Sequence, residues 1–172
     1  MANRFTKIAT LTAGAGGVAS FDFTSIPSTY TDLIMFTSIR ASADNTNFYL
    51  TLNNDSGANY NWRGIQSNGT SISGDAGSSQ TKIIFGAGAN AGVSYTAGVF
   101  SNSFCYFPNY TSSNLKAIQS DGVTENNGTA ATNFLHAHNW TGTSAINRIT
   151  LAPPSGTFVQ YSTATLYGIT KN

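Results

Sequence analysis

This sequence has unusually few charged residues. Only 9% of its 172 residues are Asp, Glu, Lys or Arg, whereas about 25% is usual in soluble proteins. The net charge is +1, and the basic residues are scattered along the chain. Because binding to nucleic acid or to an anionic membrane surface relies on concentrated positive charge, we expect neither as a partner. A neutral surface rich in Ser, Thr, Asn and Gly instead favours association with other protein surfaces.

Cysteine and long apolar runs are also scarce. Cys105 is the only cysteine, so no disulfide can form within the chain, and its aromatic neighbours predict a buried, unreactive thiol. No run of about 18 apolar residues is present, and the first residues lack the apolar stretch of a signal peptide. These absences predict synthesis in a cytoplasm without a secretion signal.

The sequence contains no apolar stripe at helical spacing and no internal repeat. It consists of short runs in which apolar and polar residues alternate, separated by turns about 8–12 residues apart. This pattern predicts an all-β protein, a two-sheet antiparallel β-sandwich of jelly-roll type. A chain of this length can bury enough surface for one core without a metal or a disulfide, so residues 1–172 are expected to form a single domain.

The order of the apolar runs predicts particular strand pairs. Residues 7–12 are expected to form a hairpin with residues 18–23 across a glycine-rich turn. Residues 149–151 and 166–169 are expected to pair as two antiparallel strands that close the domain. Residues 32–41 carry apolar side chains on both faces, which predicts either a central strand or a face against a partner subunit.

Two segments, residues 67–80 and 121–132, have few apolar anchors. They are predicted to be long exposed loops, the first with a short strand near Ile72. Loops of this length in a compact domain usually carry function or contact a neighbouring molecule.

The chain has two histidines, His136 and His138. Because they are two residues apart on a predicted strand, they point to the same face of the sheet, a spacing that suits two imidazole ligands of a metal ion. The residues that follow, 139–142, provide no carboxylate as a third ligand. We therefore interpret the pair as structural and expect no metal or other cofactor, with His136 and His138 as the remaining candidates for an ion.

No catalytic arrangement is recognisable in the sequence. The seven acidic residues are too sparse to nominate a general acid and a general base, and no nucleophile elbow or phosphate-binding loop occurs. The sequence therefore predicts a protein that is not an enzyme. Five aromatic residues offer binding instead, since they either stack on the sugar rings of a glycan or belong to the core or a subunit interface. They are Tyr60, Trp62, Tyr95, Tyr110 and Trp140.

Two motifs near the ends of the chain resemble those of small structural proteins of tailed bacteriophages. The first is F-x-x-I-P-x-x-Y-x-x-L, formed by Phe23, Ile26, Pro27, Tyr30 and Leu33. The second is the ending L-Y-G-I at residues 166–169. Phage virion proteins with such openings and endings are structural, head-decoration or tail-associated components, and the family has no catalytic signature.

The resemblance implies a virion component that is synthesised in the host cytoplasm. We expect a homotrimeric capsid decoration (cement) protein on the capsid surface, where it binds and stabilises the shell of the major capsid protein. Residues 1–6 are expected to form an N-terminal arm, with capsid or subunit contacts at Arg4, Phe5 and Ile8. The alternative is a tail-associated, receptor-binding adhesin that binds host-surface glycans through the aromatic residues named above.

Overall fold

The computed structural model describes residues 4–44, 47–86, 91–126 and 131–171 of the chain. Within these residues it contains twelve β-strands and no helix, so the predicted all-β class is confirmed. The strands are β1 (Arg4–Thr12), β2 (Phe21–Phe23), β3 (Asp32–Ile39), β4 (Phe48–Leu52), β5 (Tyr60–Ser67), β6 (Ile72–Gln80), β7 (Ile83–Phe85), β8 (Ser101–Phe107), β9 (Lys116–Glu125), β10 (Ala131–Trp140), β11 (Ile149–Ala152) and β12 (Thr163–Thr170).

The strands form two antiparallel sheets of unequal size. The eight-stranded sheet has the order β1-β12-β3-β8-β9-β10-β5-β6, and the four-stranded sheet has the order β2-β11-β4-β7. The predicted two-sheet β-sandwich is therefore confirmed. The smaller sheet cannot cover the whole inner face of the larger one, because stacked sheets cover each other strand by strand.

The core lies between the two sheets and consists of the inward-facing residues of both. Alternation of buried and half-buried residues along β4 and β11 places one face of each strand in the core, as the period of two predicts. Phe158, which is fully buried, stacks on Phe21 at a ring-centroid distance of 4.8 Å and meets the edge of Phe48 at 5.4 Å. Cys105 is also fully buried, and burial raises the pKa of its thiol, as expected for an unreactive cysteine.

Both predicted strand pairs are wrong. β1 pairs with β12, whereas β2 pairs with β11 in the other sheet, so residues 7–12 and 18–23 do not form a hairpin. β11 and β12 likewise belong to different sheets. The reason is that alternation identifies the buried face of a strand but not its neighbour. Both connections cross from one sheet to the other instead of turning back within a sheet.

Two predicted loops are largely strand. Residues 72–80 form β6, an edge strand held by main-chain pairing with β5, which requires no apolar side chains. β9 continues to Glu125, and β10 begins at Ala131; residues 127–130 lie outside the described residues. The prediction that residues 32–41 hold a central strand is confirmed, because β3 pairs with β12 on one side and with β8 on the other.

The two phage-like motifs meet in space at one end of the sandwich. The main-chain N–H of Thr31 donates to the carbonyl oxygen of Ile169 at 2.8 Å. A Cβ built on Gly168 would lie 2.3 Å from the ring of Tyr30, so only glycine permits the ring to cover this point of β12. The motifs, which are more than 130 residues apart in the sequence, therefore form a single structural corner.

Candidate functional site

A row of mostly apolar side chains crosses the outer face of the eight-stranded sheet. The strand registers place Phe36 of β3 beside Phe104 of β8, and Phe104 beside Asp121 of β9. Asp121 is followed in the same row by Leu135 of β10 and Ile65 of β5. These five residues, which we call the outer-face row, alternate along their strands with the residues that fill the core.

The outer-face row is exposed and extends to neighbouring apolar residues. Phe36 is 45% exposed, Leu135 46% and Ile65 53%. Phe36 also contacts the ring of Tyr167 on β12, with centroids 6.1 Å apart, and Val123 on β9 is 53% exposed. An apolar surface that runs from β12 to β5 is characteristic of a protein-contact surface rather than of scattered exposed residues.

The part of the row on β9, β10 and β5 holds a depression and a single carboxylate. The depression has a volume of about 510 Å³, and the residues that line it include Ile65, Val123, Leu135 and Asp121. Burial raises the pKa of the Asp121 carboxyl, and within the described residues this carboxyl has no hydrogen-bond or ion-pair partner. A partly desolvated carboxylate among apolar residues would be stabilised by a hydrogen-bond donor or a cation on a bound partner.

The predicted N-terminal contact residues belong to an edge strand rather than to a free arm. Arg4 pairs with Thr170 and Phe5 with Ile169 in the β1–β12 ladder, so the prediction of an arm is wrong for residues 4–6; residues 1–3 lie outside the described residues. Phe5 is 59% exposed, and its register places it on the same outer face as Tyr167. Ile8 is partly buried and packs against the core.

Four of the five predicted glycan-stacking aromatics are buried, so their assignment to glycan binding is wrong for this chain. Tyr60 and Tyr110 have no exposed surface, Trp140 is 2% exposed and Trp62 is 8% exposed. A ring must present a free face to stack on a sugar. Two of these rings form hydrogen bonds with the chain itself: Tyr60 Oη accepts from the N–H of Leu52 at 3.1 Å, and Trp140 Nε1 donates to Asp55 at 2.7 Å.

The fifth aromatic residue, Tyr95, is half-buried in a loop that Arg40 organises. The guanidinium of Arg40 donates to the carbonyl oxygens of Tyr95, Thr96 and Val99 at 2.9–3.0 Å. Burial raises the pKa of the Tyr95 hydroxyl, and the charge of Asp44 adds to this shift. The structure does not bring Tyr95 together with the other four aromatic residues into one binding surface.

His136 and His138 share one face of β10, as predicted, and the structure shows that this is the buried inner face. They belong to a group of polar side chains that we call the histidine cluster. The cluster consists of Trp62, Asp75, His136 and His138. Nε2 of His136 lies 3.3 Å from Oδ1 of Asp75, and Nε2 of His138 lies 2.8 Å from Oγ of Ser120. The ring of His136 sits where a side chain on Gly64 would otherwise be, since a Cβ built there would lie 1.7 Å from the ring.

Burial controls the protonation of both histidines. It lowers the pKa of His138 to about 3, and the neighbouring His136 adds to the shift. Burial also lowers the pKa of His136, although the charge of Asp75 opposes this. Both rings are therefore neutral at pH 7. No three His, Cys, Asp or Glu side chains converge in a metal-binding arrangement anywhere in the part of the chain that the structure describes.

The sequence prediction missed the outer-face row because it treated the outward-facing apolar residues strand by strand. One signal was present: the apolar residues on both faces of residues 32–41 predict either a central strand or a face against a partner subunit. What alternation alone could not supply was the register that aligns Phe36, Leu135 and Ile65 on adjacent strands.

Comparisons with family models, with curated proteins and with solved structures found no match for this chain. Among the described residues there is no helix of the length and apolar character needed to cross a bilayer. The inferences about function therefore rest on the geometry above and on the resemblance of the terminal motifs.

Proposed function

We propose that this chain is a non-enzymatic structural protein of a tailed-phage virion, a homotrimeric decoration protein that binds the outside of the major capsid shell. The observation that carries this proposal is the outer-face row, an exposed apolar surface on a chain with very few charges. Neutral surfaces of this kind approach identical copies and shell proteins without electrostatic repulsion. A trimer touching several shell subunits would also gain affinity through multivalency.

The strand order supports a jelly-roll interpretation, which is frequent among viral shell proteins. Connections that pass repeatedly from one sheet to the other link four strands of the large sheet with the four strands of the small sheet. The strand orders are β1-β12-β3-β8 and β2-β11-β4-β7. β5-β6 and β9-β10 extend the larger sheet beyond this frame and contribute Ile65, Asp121 and Leu135 to the row. On this interpretation the added strands supply much of the contact surface.

The alternative, a tail-associated adhesin for host glycans, has little support, because four of the five rings assigned to it are buried. Phe5 remains a candidate contact for the capsid or for a neighbouring subunit. Its register continues the outer face beyond Tyr167, so the β1 edge and the outer-face row form parts of one surface.

Light scattering of the purified chain and co-sedimentation with shells that lack it test the proposal. We expect a trimeric mass, and we expect Leu135→Asp combined with Val123→Asp to abolish both the trimer and shell retention. Ser113→Asp, in the turn before β9, is the matched control, because it adds charge at an exposed position away from the row. Shell retention that is unaffected by the paired substitution would contradict the proposal.

A further inference from the structure

β6 is an open edge of the eight-stranded sheet. Within the described residues it pairs with β5 alone, in a regular register that runs from Ile72 opposite Ser67 to Gly77 opposite Trp62. The main-chain groups on its other side have no strand partner in this part of the chain. An unpaired edge presents N–H and C=O groups that can pair with an added strand.

The two edges of this sheet differ in how they resist such pairing. β1 carries Arg4 and Lys7 and has an irregular register between Lys7 and Ala9, and both positive charge and bulges block edge-to-edge contact. β6 consists mainly of Gly, Ser and Ala. Its one charged residue, Asp75, is turned towards the inner face, where it lies beside His136.

The residues of β6 are complementary to a second copy of the same strand. An antiparallel pair centred on Gly74 places the two Gly74 residues opposite each other, Ser73 opposite Asp75, and Ile72 opposite Ala76. Each Asp75 then faces a hydroxyl, whereas a pair centred on Asp75 would set two carboxylates against each other. Ile72, which is 77% exposed, would gain apolar contact across the axis.

We infer that β6 pairs with β6 of a second copy of this chain, which joins two eight-stranded sheets into one continuous sheet. This contact is two-fold and uses main-chain hydrogen bonds, so it is separate from the three-fold association proposed above. It does not depend on the virion role. The outer-face rows of the two copies would become neighbours across the axis, because Ile65 and Ile72 lie near it.

Gly74→Lys tests the inference by placing two ammonium groups opposite each other at the axis. A Cβ at this position meets only the main-chain oxygen of Gly64, at 3.7 Å, so the variant is expected to fold with an unchanged unfolding midpoint. We expect light scattering to show a two-fold lower mass for Gly74→Lys than for the chain with Gly74 when both carry Val123→Asp and Leu135→Asp, which remove the three-fold association. Thr12→Lys, which adds the same charge to the exposed end of β1, should keep the mass of the chain with Gly74 in the same background.

Gly74→Cys provides a second and independent measurement. Opposed residues of an antiparallel pair have Cα atoms about 4.5–5.5 Å apart, within the range of a disulfide, so mild oxidation should link the two copies. Cys105 is buried and does not compete. A Gly74→Lys chain with the mass of the chain with Gly74 in that background, or a Gly74→Cys chain that crosslinks no faster than Thr12→Cys, would overturn the inference.

Discussion

Two buried groups of polar side chains at opposite ends of the eight-stranded sheet differ in how many of their polar atoms form hydrogen bonds. At the corner formed by the terminal motifs, Asp32 accepts from Tyr106 at 2.6 Å and from the N–H of Asn109 at 2.8 Å, and it lies 2.5 Å from Nζ of Lys171. At the other end, the histidine cluster holds all five buried side-chain nitrogen and oxygen atoms of the described residues that form no well-oriented hydrogen bond; two of them, Nε2 of His136 and Oδ1 of Asp75, lie 3.3 Å apart.

The difference indicates how stability is distributed along the sheet. Burial alone would raise the pKa of Asp32, but the hydrogen bonds from Lys171, Tyr106 and Asn109 outweigh it and lower the pKa. Its charge is therefore stabilised where both chain ends join the sheet. Unpartnered polar atoms in the histidine cluster instead cost free energy, and β6 beside them has no fully buried residue. We infer that the corner stabilises the fold and that the β6 end opens first.

The largest expected effect is at the corner. Asp32→Ala removes the acceptor of Tyr106 and of the Asn109 N–H, and it leaves Lys171 without its carboxylate. We expect a loss of about 3 kcal/mol in the free energy of unfolding, measured by denaturant titration. Asp75→Ala, the matched change in the histidine cluster, should cost less than about 1 kcal/mol, because the contact of Asp75 with His136 is long. Equal losses in the two variants would contradict the comparison.

Acid should affect the histidine cluster before it affects the corner. A histidine whose folded-state pKa lies below its unfolded-state value contributes stability above about pH 6.5, and this stability is lost as pH falls towards the folded-state pKa. With its pKa lowered to about 3, His138 should account for a loss of about 2 kcal/mol between pH 7 and pH 5. Asp32, with its pKa lowered from 3.8, stays ionised throughout this window.

Unfolding titrations across this pH range measure the effect, and His138→Gln is the informative variant. Glutamine can still form a hydrogen bond with Ser120 but does not titrate, so the slope of stability against pH should fall. The same slope in both proteins would show that His138 is not the group being protonated.

Gly64→Ala should loosen the β6 end without disturbing the corner. The added methyl group would overlap the ring of His136, which must move, and overpacking of this kind costs about 1–3 kcal/mol. We expect the amides of β6 to exchange hydrogen at least about tenfold faster, with those of β12 as the reference within the same molecule. Uniform acceleration across both strands would mean that the two ends do not open separately.

The smallest effect on stability is expected on the outer face. Leu135→Thr places a β-branched residue, which suits a strand, at an exposed strand position, so the free energy of unfolding of the isolated chain should change by less than about 0.5 kcal/mol. Association should nevertheless weaken, as measured by light scattering over a dilution series. A variant that loses stability without losing association would assign Leu135 to the fold rather than to a contact surface.

The sequence allowed the fold class and the faces of several strands to be predicted. The placement of Phe134, His136, His138 and Trp140 on one face of β10 follows from alternation alone, and the structure confirms it and shows that this face is the buried one. Strand partners could not be predicted in the same way, because alternation along β1 or β11 is the same whichever strand lies beside it. Most of β6 was predicted as a loop, because its Gly and Ser residues form main-chain hydrogen bonds but provide no apolar side chains.

The candidate site was predictable only in part. Aromatic residues such as Tyr60 and Trp140 were read as possible binding rings, but their polar atoms bond to main-chain groups and to Asp55, which no local pattern reveals. The outer-face row depends on five strands being aligned, so it appears only when the registers are known. The terminal motifs could be recognised in the sequence, but their contact through Tyr30 and Gly168 required the folded chain.

The most direct test of the proposed virion role is cryo-electron microscopy of purified tailed-phage particles, in which this chain is sought and its copies are counted. We expect many copies arranged as trimers on the outside of the head, with the outer face of the eight-stranded sheet buried against the shell or a neighbouring subunit. A few copies confined to the tail, with that face open to solvent, would contradict it.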